Sequence, residues 1–220
     1  MFEATKIIHQ NSDWITLILV FIFFILSLLK VIFKDRLYHE STLFFSKKYL
    51  SIYFNKEKNL TLNLFQGALF FVKLLVLSLL LYFANVYFKI HPNSLNFSTY
   101  MLLFLGVGLY FSIHFLIGLL LAFLFNFKNE FTKVIYFKVS YFNNLILWVL
   151  PFLIFSIYTN KIQEFSFRIT FLLVVLLLIL RYVLILVYNK KFIYNNLFYF
   201  ILYLCALEIA PLIIVLKLTV

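Results

Sequence analysis

The sequence predicts an all-α fold: a polytopic membrane helix bundle of about six transmembrane helices plus an interfacial amphipathic segment. Three observations carry that prediction. Mean hydropathy is +1.05, with 65% hydrophobic and 12% charged residues, whereas soluble domains average about 25% charged. Apolar runs fill most of the 220 residues, and a bilayer core about 30 Å thick takes roughly 20 helical residues to cross. The polar segments between the runs are too short to fold by themselves, so residues 1–220 read as a single integral membrane domain. Three prolines and four glycines in the whole chain leave nearly continuous helix as the default.

The spans are expected, in order, at 14–32, 65–88, 100–125, 145–158, 169–188 and 198–216. The first follows Glu3 and Asp13, is too long for the apolar part of a signal peptide and lacks a small-residue cleavage site, so it is expected to stay in the mature protein. The second carries Gln66 and Lys73, seven residues apart and therefore on one face. In the third, Gly108 with Ser112 and Gly118 with Ala122 are small residues spaced for close helix packing, and Gly118 opens space beside His114. The fourth is short unless it begins near Val139, and Pro151 is an expected helix kink, with a re-entrant helix as an alternative. The sixth contains Pro211, which cannot donate to the carbonyl of Leu207 and marks a second expected kink.

Between the first two spans, segment 33–60 mixes Leu43, Phe44, Tyr49, Ile52 and Phe54 with Lys34, Arg36, Lys47, Lys48, Lys56 and Lys58. That mixture suits an amphipathic segment lying on the inner leaflet, with those basic residues against anionic lipid. A docking surface for a cytoplasmic partner is the alternative. His39 and Glu40 on this segment read as a solvated pair. The net charge of +11 reflects loops facing anionic lipid rather than nucleic acid. Lys30, Lys34, Arg36, Lys47, Lys48, Lys56, Lys58, Lys128, Lys133, Lys138, Lys190 and Lys191 follow the odd-numbered spans. The other side has only Lys6, Lys89, Lys161, Arg168 and Lys217. The positive-inside rule then puts both termini outside the cytoplasm, which in a bacterial inner membrane is the periplasm.

Among the acidic residues, only Glu208 falls inside a long apolar run, and a lone carboxylate in hydrocarbon needs a partner. Lys73, His114 and Arg181 also fall within spans. Counted from the expected cytoplasmic ends, Arg181 lies roughly 10 Å deep, Lys73 roughly 12 Å, Glu208 roughly 15 Å and His114 roughly 16 Å. The four define one intramembrane polar layer in which Glu208 would pair with Arg181 or Lys73. The bland alternative has Lys73 and Arg181 reaching toward the headgroups and Glu208 protonated or held by one partner. The single cysteine, Cys205, reads as a packed thiol. No histidine has metal-ligand spacing, and no HExxH, GxSxG or glycine-rich phosphate loop occurs. Neither a catalytic residue, a metal nor a cofactor is expected, so the chain reads as a non-enzyme.

The stretch Asn196 to Lys217, NLFYFILYLCALEIAPLIIVLK, resembles the closing segment of an uncharacterised family of multipass inner-membrane proteins from Bacteroidota, a domain of unknown function. Phe198, Tyr199, Leu202, Tyr203, Cys205, Leu207, Glu208 and Pro211 carry the match. The resemblance implies a Gram-negative inner membrane and no particular activity. The leading expectation is a non-enzymatic subunit or scaffold of an envelope complex of the secretion or biogenesis type, with other membrane proteins as partners. The alternative is a small transporter or proton-coupled carrier that uses the Lys73, His114, Arg181 and Glu208 layer.

Overall fold

A computed structural model describes residues 13–44, 64–88, 96–124, 128–159 and 163–188. These form six helices: α1 (Asp13–Ile32), α2 (Arg36–Ser41), α3 (Leu64–Phe88), α4 (Phe97–Leu124), α5 (Lys128–Tyr158) and α6 (Gln163–Tyr188). No strand occurs among the described residues. Five of the helices, all but α2, are long and apolar enough to cross a membrane. The expected sixth span at 198–216, with Glu208 and Pro211, lies outside the described residues, as do Lys47, Lys48, Lys56 and Lys58.

Apolar side chains dominate every long helix, so amphipathicity does not choose which face is buried; contact with neighbours does. α3 and α5 form the hub, each with 56% of its most apolar stretch buried. Val76 and Leu79 of α3 meet Val149 and Leu153 of α5 in one core that Ile22 of α1 completes. α4 is at the other extreme, with 6% of its stretch buried.

Aromatic and hydroxyl contacts tie the end farther from α2. Trp14 sits edge-on to Tyr82 at 5.2 Å and to Phe97 at 5.7 Å, which pins the start of α1 to α3 and α4. Ser156 of α5 is hydrogen-bonded to Ser166 at 2.8 Å and to Thr170 at 2.7 Å. These hydroxyls hold the α5–α6 hairpin, and Arg168 Nε donates to Tyr87 Oη at 2.8 Å to bind α6 to α3. At the opposite end, α2 tucks against α5 and α1.

Four sequence expectations change. The fourth span is not a short helix from Leu145: α5 starts at Lys128, its membrane-length part is Ile135–Tyr158, and it runs unbroken through Pro151. The sequence places the start late because Asn143 and Asn144 interrupt the apolar run, yet both are buried inside the helix that continues it. Glu40 is not solvated but 0% exposed, for α2 turns it toward α5. The third change concerns close packing at Gly108. A methyl group added there would meet nothing within 4 Å among the described residues, so no described neighbour packs closely on it.

Arg36 also departs from the picture of a lipid-facing cation. It is 8% exposed, with its guanidinium 4.0 Å from the ring centroid of Phe65 and 5.9 Å from that of Phe33. The flat, weakly hydrated guanidinium stacks on rings in a way an ammonium does not. Lys34, by contrast, is exposed.

Candidate functional site, a basic cavity beside a buried polar junction

Two polar features sit side by side toward the α2 end of the bundle. The first is a cavity of about 390 Å³ lined from four helices: Gln66, Phe70 and Lys73 of α3; Phe111, Ser112, His114, Phe115 and Gly118 of α4; Ile135, Lys138, Val139 and Phe142 of α5; and Arg181 of α6. Seven-residue spacing puts Gln66 and Lys73 on one face of α3. Small Gly118, four residues after His114, leaves room on the α4 wall. By helical rise, Lys73 is roughly 14 Å from the start of α3 and Arg181 roughly 10 Å from the end of α6, which places them at similar depth.

Lys73 is 2% exposed. Its Nζ lies 4.4 Å from the ring centroid of Phe70, 4.5 Å from that of Phe111 and 5.3 Å from that of Phe142. A cation against an aromatic face gains about 2 kcal/mol or more when water is excluded, so three rings offset part of the cost of burying the ammonium. They supply no hydrogen-bond acceptor, however, and none among the described residues meets Nζ. Arg181 shares the Phe142 ring, its Cζ 4.5 Å from the centroid, and its Nη2 donates to the carbonyl oxygen of Lys138 at 3.4 Å. His114 is partly buried and stacks on Tyr110 at 6.0 Å.

The cavity wall thus carries Lys73, Lys138 and Arg181 with a histidine and a glutamine, and no carboxylate among the described residues. Three of the four expected members of the polar layer line one cavity. The fourth, Glu208, lies outside the described residues. Such a wall suits an anion, because a desolvated cation gains most from a charged acceptor.

The second feature escaped the sequence reading. Asn143 Nδ2 donates to Gln66 Oε1 at 3.0 Å and reaches Glu40 Oε1 at 3.5 Å. Asn144 Nδ2 donates to the backbone carbonyl of Glu40, and Trp148 Nε1 donates to that of Ser41 at 3.1 Å. Asn144 and Trp148 are four residues apart on α5, so one face of that helix receives the last turn of α2. Gln66 belongs to both features: it lines the cavity and accepts from Asn143. The signal in the sequence was the Asn143–Asn144 pair abutting an apolar run. Its partner is about a hundred residues away, beyond the reach of local pattern.

No group of three or more His, Cys, Asp or Glu able to hold a metal occurs among the described residues. No curated protein and no solved structure matches the chain. A family model does match, over residues 15–219, which takes in all the described helices except the first two residues of α1 and includes the cavity and the junction alike. The chain therefore belongs to the family described as a domain of unknown function, DUF4271.

Proposed function

We propose that the chain is a non-enzymatic integral protein of a bacterial inner membrane and serves as a subunit or scaffold of an envelope complex of the secretion or biogenesis type. The observation that supports this reading is the asymmetry of burial: α3 and α5 are each 56% buried over their most apolar stretch, while α4 is 6% buried. In a bilayer, such a helix leaves an apolar face, where Gly106 lies among exposed Leu102, Leu105 and Leu109, against which another membrane helix can approach. The Gram-negative inner membrane rests on the resemblance of Asn196 to Lys217. The periplasmic placement of both termini rests on the distribution of Lys and Arg.

Purification in mild detergent tests the reading. The chain is expected to elute in a complex with other envelope membrane proteins at fixed stoichiometry, and Gly106→Trp on the open α4 face is expected to release it. A lone chain carrying only detergent, unchanged by Gly106→Trp, would contradict the proposal. A second reading, a small anion or proton-coupled carrier, is favoured by the basic cavity; uptake into liposomes abolished by Lys73→Met would support it.

A further inference from the structure

We infer that the basic cavity seats the anionic head, a carboxylate or a phosphate, of a lipid-class amphiphile that enters sideways from the bilayer between α4 and α5. The observation that demands an anion is Lys73: an ammonium 2% exposed, lining a cavity, facing three ring faces and no hydrogen-bond acceptor among the described residues. A buried cation of this kind gains most from a charged acceptor placed within hydrogen-bond distance. Arg181 and Lys138 line the same cavity and add to its positive potential.

Volume and the distribution of polarity argue for an amphiphile over a bare ion. Water occupies about 30 Å³ per molecule in the liquid, so 390 Å³ far exceeds what a small inorganic anion fills. Phe70, Phe115, Ile135 and Val139 give the wall an apolar stretch, which suits the first carbons of a chain behind the head. The way in is lateral. Ser112 is exposed and Phe115 is 50% exposed, and both belong to the helix with the least burial. In a bilayer those positions face hydrocarbon, so the tail would leave where Ser112 and Phe115 open the cavity. The inference holds for a static subunit and for a carrier alike.

Native mass spectrometry of the full chain in neutral detergent tests it, with oleate, phosphatidylglycerol, phosphatidylcholine and inorganic phosphate as probes. One oleate or phosphatidylglycerol is expected to be retained per chain in preference to phosphatidylcholine. Lys73→Met should weaken retention at least about tenfold, the scale of one charge-assisted bond, while Lys73→Arg keeps part of it. Ser112→Trp, at an exposed position on the cavity rim, should block the mouth and lower retention with every cation still in place. Equal retention by the wild type and both Lys73→Met and Ser112→Trp would overturn the inference. Retention of phosphate but of neither amphiphile would make it a free-anion site and overturn the lipid class. Retention only after Glu208→Gln would show that the chain's own carboxylate occupies the cavity, which also overturns it.

Discussion

Asn143→Leu tests the polar junction more sharply than any other single change. Leucine has the same heavy-atom branching and is better suited to an apolar surrounding, so a role in packing alone would leave stability little changed or improved. The structure predicts the reverse. Asn143 Nδ2 is the donor both to Gln66 Oε1 at 3.0 Å and toward Glu40 Oε1 at 3.5 Å. Its loss removes one ordinary hydrogen bond, about 1 kcal/mol net, and takes a donor from a fully buried carboxylate, a desolvation cost of about 1 to 3 kcal/mol. Polar contacts between membrane helices average only about 0.6 kcal/mol, because the unfolded chain finds other partners in lipid. Combining the two scales, we expect about 2 kcal/mol of destabilisation, measured by equilibrium unfolding in mixed micelles. Ser112→Ala, which removes only a hydroxyl bonded to the carbonyl of Gly108 in the same helix, should stay within about 0.5 kcal/mol. With Glu40→Gln as the second mutation, a double-mutant cycle should show coupling. An Asn143→Leu protein as stable as the wild type, or strict additivity with Glu40→Gln, would refute the reasoning.

Two further predictions concern topology and Glu208. In a Cys205→Ser background, cysteines at Asn11 and Thr219 should react with a membrane-impermeant thiol reagent in spheroplasts while one at Lys56 should not; labelling at Lys56 alone would reverse the orientation. If Glu208 pairs with Arg181 across antiparallel neighbouring spans, Glu208→Gln should harm thermal stability less than Arg181→Ala, since the carboxylate can escape part of the cost by taking a proton. The changes Glu208→Gln and Arg181→Gln should be non-additive in combination. Strict additivity would dissolve the pair.

Helical class and the places of four long helices were legible because they depend on one quantity, the length of an apolar run. The structure places α1, α3, α4 and α6 over the expected runs, with ends that differ by up to six residues. α5 was misjudged at its start for a physical reason. Hydropathy counts Asn143 and Asn144 as polar wherever they sit, and their burial depends on Glu40 and Gln66 from distant segments. Glu40 escaped for the same reason: on a basic stretch it looks solvated, and only the docking of α2 on α5 removes it from water. Lys73, His114 and Arg181 were legible as a layer because helical rise converts sequence position into depth. Depth alone says nothing of azimuth, so neither the shared cavity nor the Phe70, Phe111 and Phe142 faces around Lys73 followed from it.

The central claim, a cavity of positive potential inside the bundle, is tested most directly by the charge preference of a thiol placed in it. Gln66 lines the cavity and is partly buried. In a Cys205→Ser, Gln66→Cys protein the reaction rates of the anionic sulfonatoethyl and the cationic trimethylammonioethyl methanethiosulfonates are compared, each normalised to its rate with free thiol. The anionic reagent should react faster at low salt, and Lys73→Met should shrink its advantage. Equal rates, or a faster cationic reagent, would contradict the account.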